Sequence, residues 1–175
     1  MGSPRDEMVA IVDEENRVIG AAPRWTMRGQ GLWHRTTYIL VFDSTGRLYV
    51  QRRTMTKDVY PGYWDPCAGG VVLAGESYHA GALRELEEEM GIRGVELREE
   101  FDIRFEDGNA RAWGRVFRCE WEGEPVPQPE EVEFVERMKL EEILERSARE
   151  PFTPDGLLVV QRYLAGADRF KRGEW

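Results

Sequence analysis

The chain has 175 residues with 24 basic and 33 acidic side chains, a net charge of −9, and is 41% hydrophobic and 11% aromatic. That is one domain's length with enough apolar residues for a core of its own, which excludes a disordered chain and a small disulfide scaffold. The acidic balance argues against a nucleic-acid polymer or an anionic membrane as principal partner, yet a cation held by carboxylates can still bridge such a chain to a phosphorylated small molecule.

Cys67 and Cys119 have no disulfide-framework or zinc spacing, so a reducing cytoplasm is the expected compartment. The polar start carries no secretory pattern, and apolar runs such as Tyr38 to Phe42 are of strand length.

In chain order, Met8–Val12 and Val18–Gly20 flank the polar Asp13–Arg17 and read as a hairpin, whose edge is the candidate contact for a homodimer. Arg24–Leu32 reads as a short, partly polar helix. Thr37–Phe42 and Arg47–Arg53, joined by Asp43-Ser-Thr-Gly46, form a second hairpin. A turn-rich stretch, Tyr60–Gly70, precedes a clear helix. Strand-like runs follow at Val95–Phe105, Arg111–Glu120 and Val132–Met138, then helices at Lys139–Arg149 and Pro154–Ala165. Residues 1–175 therefore read as a single α+β domain around one curved sheet.

The central helix has a Ser77 N-cap and a Gly91 left-handed C-terminal residue. Leu83, Leu86 and Met90 predict its apolar stripe, and Glu85, Glu88 and Glu89 crowd the opposite face. Carboxylates so placed repel one another, and a hard divalent cation turns that repulsion into attraction. Arg84 stands beside them, suited to hold a carboxylate in a fixed direction. Gly81 in mid-helix costs about 1 kcal/mol relative to Ala, so a close helix-to-sheet packing contact is expected there.

The run Gly70-x5-Glu76-x7-Arg84-Glu85-Leu86-x-Glu88-Glu89-x-Gly91-Ile92 resembles the Nudix box at every fixed position. The resemblance, over residues 70–92, implies a mixed curved β-sheet sandwiched between α-helices. It also implies Mg²⁺- or Mn²⁺-dependent hydrolysis of a nucleoside diphosphate linked to another moiety, by attack of a metal-activated water. On that reading Glu85, Glu88 and Glu89 are metal ligands, joined by the Gly70 carbonyl. Arg84 orients a carboxylate beside the catalytic Glu85, and Glu76 supports from behind. Glu106, Asp107, Glu130 and Glu131 are the candidates for a further base beyond the box.

A second resemblance, to isopentenyl-diphosphate isomerase, rests on His34-Arg35, Gln51-Arg52-Arg53, Lys57 and Pro61-Gly62-Tyr63-Trp64. It implies that Arg53 and Lys57 contact the substrate's diphosphate. The isomerase's cysteine position, however, holds Gly69, the following histidine position holds Val71, and Ala110-Arg111-Ala112 lacks its acids. Without that proton donor and acceptor, hydrolysis is the expected chemistry. His34 and Cys67 read as structural residues, His79 as solvent-facing, and Tyr60, Tyr63 and Trp64 as core or as a stacking platform.

Overall fold

The spine of the molecule is β3 (Trp33–Phe42), and a computed structural model describes residues 3–171 around it. Tyr38, Leu40 and Phe42 point to one face and Ile39 and Val41 to the other, so both faces are buried and the strand reads as a continuous apolar run. Along one edge β3 runs parallel to β7 (Arg111–Glu120) through ten residue pairs, and β6 (Arg98–Glu106) closes that side antiparallel to β7.

The other edge of β3 is shared. It meets β4 (Leu48–Arg53) only at Phe42↔Leu48, beside the Asp43–Gly46 turn, and meets β1 (Met8–Val12) at Ile11↔His34. Residues 68–72 occupy the space between: Ile39 N donates to Ala68 O at 2.7 Å, Thr37 N to Gly70 O at 2.9 Å, and Val72 N to Arg35 O at 2.9 Å. The sheet therefore splits between β3 and β4, and a glycine-rich segment floors the split. β4 continues antiparallel to β8 (Val132–Met138) and to the two-residue β5 (Trp64–Asp65). β2 (Val18–Pro23) pairs with β1 and forms a sheet edge, with Val18 and Ile19 exposed.

Helices cover both faces. On one side α3 (Leu140–Ser147) and α4 (Pro154–Lys171) pack Ile143, Val159 and Val160 against Leu40, Val50 and Val116. On the other, α2 (Tyr78–Met90) packs Ala82, Leu86 and Met90 against Ile39, Tyr49 and Phe117. The expected sandwich is present. A third cluster, Val9, Ile11, Met27 and Val71, ties the hairpin and α1 (Arg24–Gln30) to the glycine-rich segment.

Several boundaries differ from expectation. β2 runs on to Pro23, β6 begins at Arg98 because Leu97 turns into the core, and the turn-rich stretch contributes β5. The apolar stripe of α2 also differs. Leu83 is exposed, because the helix buries two adjacent i,i+4 rows, Ala82-Leu86-Met90 and Gly81-Glu85-Glu89. The caps are as read: Ser77 Oγ accepts from Ala80 N at 3.1 Å, and Gly91 is left-handed at φ +69°. No helix among the described residues is long and apolar enough to cross a membrane.

Candidate active site

α2 projects its acidic row into the sheet's split, and Arg84 organises it. The guanidinium donates Nε to Glu76 Oε2 at 2.9 Å and Nη2 to Glu76 Oε1 at 3.0 Å. Its Nη1 reaches Glu85 Oε1 at 2.7 Å and Glu88 Oε2 at 3.3 Å, and Nη2 also reaches the Val71 carbonyl. Glu76 additionally accepts from Leu73 N at 3.1 Å, which locks helix and loop together. Gly81 makes room for this: a Cβ there would lie 2.7 Å from Glu76 Oε1. The close neighbour is thus the Glu76 carboxylate of the preceding loop and not, as expected, the sheet; Val72 of the floor segment lies beyond it at 3.6 Å.

Glu85 and Glu89 are only 7% and 8% exposed, whereas Glu88 faces solvent. Glu89 Oε2 accepts from Gln51 Nε2 at 3.1 Å and Gly69 N at 3.0 Å. Burial and then the neighbouring Glu85 push the Glu89 carboxyl up to about 8. Burial raises Glu85 as well, against the opposing pull of Arg84.

The floor brings Gly70 into contact with Glu85; a Cβ on Gly70 would sit 2.6 Å from the Glu85 carboxyl carbon. Its carbonyl, however, points to β3, accepting from Thr37 N, Thr36 Oγ1 at 3.1 Å and Thr37 Oγ1 at 3.3 Å. The geometry therefore gathers Glu85, Glu88, Glu89, Arg84 and Glu76, and turns the Gly70 carbonyl away from them. The carbonyl of Gly69, where φ is +138°, accepts no hydrogen bond among the described residues.

Across a cleft of about 270 Å³ from these carboxylates stand Arg24, Arg28, Arg53 and Lys57. Arg53 and Lys57 are thus at the site, though both have partners. Arg53 donates Nη2 to Val59 O at 2.8 Å and Nε to Tyr60 O at 3.2 Å, and lies 3.6 Å from Asp65. Lys57 pairs with Glu131. Of the four acids considered beyond the box, Glu131 lines the carboxylate cleft. Asp107 binds the Tyr60 hydroxyl, Glu106 pairs with Arg111, and Glu130 lines the adjoining outer cleft. The sequence does not single out Arg24 and Arg28 as site residues, because nothing in a short polar helix shows which way it will face.

The residues at the positions read as structural behave accordingly. His34 is buried with Nδ1 3.1 Å from Leu32 O, and burial takes it down to about 4. Trp64 stacks on Phe152 in the core and donates to Glu150 at 2.7 Å. Cys67 is buried, and burial, then nearby Asp65, push its thiol well up, which makes it a poor nucleophile.

The donor set fits a hard divalent cation. Glu85 Oε2, Glu88 Oε1 and Glu89 Oε1 have no hydrogen bond among the described residues, so each carboxylate keeps one oxygen free on the same side of α2. Among the described residues no three acidic, histidine or cysteine side chains already converge on one cation position, so binding would require the carboxylates to rotate toward it. A cation would relieve the burial and mutual repulsion that hold the Glu85 and Glu89 carboxyls above their ordinary range, displacing the proton from Glu89 as it binds.

Comparison with known proteins agrees. The family model described as NUDIX domain matches residues 32–156. The chain is 50% identical to the Nudix hydrolase YfcD of Escherichia coli strain K12, over 90% of this chain and 87% of that one. It is 45% identical to the Nudix hydrolase PA4841 of Pseudomonas aeruginosa, over 90% and 94%. Among solved structures, DR0079 from Deinococcus radiodurans superposes with a TM-score of 0.78 at 24% identity, covering 89% of this chain and 98% of that one. With its box folded as one loop-and-helix unit and relatives matched across nine-tenths of its length, the chain belongs to the Nudix hydrolase family, a family of pyrophosphohydrolases.

Proposed function

We propose that this protein hydrolyses the diphosphate linkage of a nucleoside diphosphate derivative or a related small-molecule diphosphate, with Mg²⁺ as the working cation and Mn²⁺ as a substitute. The observation that carries this reading is the opposition of two walls across one cleft, Glu85, Glu88 and Glu89 on one side and Arg24, Arg28, Arg53 and Lys57 on the other. A diphosphate fits between them, bound through the cation on the acidic wall and directly on the basic one.

Glu85, Glu88 and Glu89 would hold the cation, with the Gly69 carbonyl the better placed of the two glycine carbonyls to join them. When bound, the cation neutralises phosphate oxygens and lowers the pKa of water in its shell. Arg84 fixes the direction of Glu85 and is itself fixed by Glu76. Glu131 is the proton acceptor on the opposite rim, restrained by Lys57 until substrate arrives.

The test is a phosphate- and pyrophosphate-release screen over nucleotide, sugar-nucleotide, dinucleotide, coenzyme A and isoprenoid diphosphates, with Mg²⁺, Mn²⁺ or chelator, run beside Glu85→Gln. Metal-dependent release that falls by about 10²-fold or more in the variant supports the reading. Rearrangement of isopentenyl diphosphate without release of phosphate overturns it.

A further inference from the structure

The short helix α1 gives the cleft two cations one helical turn apart. Arg28 lines the carboxylate cleft, the adjoining outer cleft of about 450 Å³ beside Trp25, and the inner polar pocket behind Gly69 and Gly70. It stands where the three meet. The Nε atoms of both Arg24 and Arg28 are buried without a hydrogen-bond partner. Arg24 has an ion pair with Glu7 at 2.9 Å. The Arg28 guanidinium has neither ion pair nor hydrogen bond among the described residues, and Asp58, the acid near it, makes no ion pair with it. A half-buried guanidinium whose Nε is buried without a partner and which has no paired anion carries a desolvation cost, and no protein contact offsets it with a hydrogen bond or ion pair. Arg53 and Lys57 differ in this respect, since each already has protein partners.

We propose that Arg28, assisted by Arg24, is a specificity-determining anion subsite that holds a phosphoryl oxygen of the substrate on the side remote from Glu85 and Glu89. The ligand class is a diphosphate or a longer phosphate chain, and the substrate continues from there into the outer cleft along Trp25. This rests on the hydrolase reading for the identity of the ligand, but its test does not.

The experiment is calorimetric titration of inorganic pyrophosphate and tripolyphosphate into metal-free protein, wild type against Arg28→Met, Arg28→Lys and Arg53→Gln, with melting temperatures for each. Wild type is expected to bind both anions. Arg28→Met should weaken binding at least about tenfold, Arg28→Lys less, and Arg53→Gln less than Arg28→Met. Arg28→Met should melt at or above the wild-type temperature, because the apolar stem is kept and no hydrogen bond or ion pair is lost; an arginine held by structural contacts would instead lower it. With an active substrate, KM should rise about tenfold in Arg28→Met while kcat stays within about threefold. Wild type that binds neither anion, or Arg28→Met that binds them as well as wild type, overturns the subsite. Arg28-dependent anion binding in a protein that hydrolyses no diphosphate would support the subsite and sink the hydrolase reading.

Discussion

Arg84 and Glu76 are joined by two parallel hydrogen bonds, of 2.9 and 3.0 Å, and the nitrogen of the guanidinium left over from that pair reaches Glu85 at 2.7 Å. The loop acid thus aims the helix acid through an intermediary. An ammonium cannot make that fork. Arg84→Lys should therefore raise the Mg²⁺ concentration for half-maximal rate by about ten- to a hundredfold, with the fold intact by circular dichroism. An unchanged Mg²⁺ titration would mean that Arg84 does not position Glu85.

Gly81 offers a sharper discrimination. Alanine in mid-helix normally stabilises by about 1 kcal/mol relative to glycine. Here the added Cβ would meet Glu76 Oε1 at 2.7 Å and displace it from Arg84. Gly81→Ala should show no gain in denaturant midpoint and about tenfold lower activity. A full stabilisation with wild-type turnover would disprove the coupling.

The two glycines of the floor should respond differently. A Cβ at Gly69 collides with the Thr37 carbonyl, and the φ of +138° is itself unfavourable for a side chain. Gly69→Ala should lose about 2–4 kcal/mol of stability. Gly70→Ala meets the movable carboxylate of Glu85, so its Tm should fall less while its metal-dependent rate falls more. Thermal melts and initial rates on the two variants check the ordering.

Glu89 makes metal-free stability depend on pH in a defined direction. Its folded pKa, about 8, lies above the ordinary carboxylate value of 4.5, so the folded state holds the proton more tightly than the unfolded one. The associated stability is present in full below about pH 4.5 and is lost as pH rises through 8. Glu89→Gln should raise the Tm of chelator-treated protein by about 5 °C at pH 8 and by much less at pH 5. Melts at the two pH values decide it; an equal effect at both would show that Glu89 is ionised throughout.

For Glu131, the expected signature is kinetic. Glu131→Gln should lower kcat by about 10²-fold and leave KM within about threefold. A KM effect alone would make Glu131 a restraint on Lys57 and no base.

The box was legible because its chemistry is local: Ser77, Gly91 and the Glu85–Glu89 spacing all act within one helix and its caps. β7 and β8 were legible end to end, since Arg111–Glu120 and Val132–Met138 keep strand patterning to their last residues. What could not be read depends on contacts distant in sequence. Leu83 and Glu85 exchange their expected burial because the sheet splits beneath α2, and only pairing between β3 and residues 68–72 creates that split. The same holds for Gly70, whose carbonyl direction is set by Thr37, and for Arg28, which becomes a cleft residue only when α1 packs Met27 under the hairpin. The family resemblance offered Glu131 as one of four acids without choosing among them; its place in the carboxylate cleft, beside Lys57, sets it apart from Glu106, Asp107 and Glu130.

The family match begins at residue 32, after the hairpin and α1. Yet Ala10 N donates to Val72 O and Ala74 N to Met8 O, so that leading segment is hydrogen-bonded to the far side of the floor strip. On the proposed reading the work is divided: the box carries the hydrolysis, and the preceding segment, packed against the floor through Val9, Ile11 and Met27, selects the substrate through Arg24 and Arg28. Exchanging residues 8–30 between relatives should transplant substrate preference while leaving the box, its arginine and its cation requirement in place.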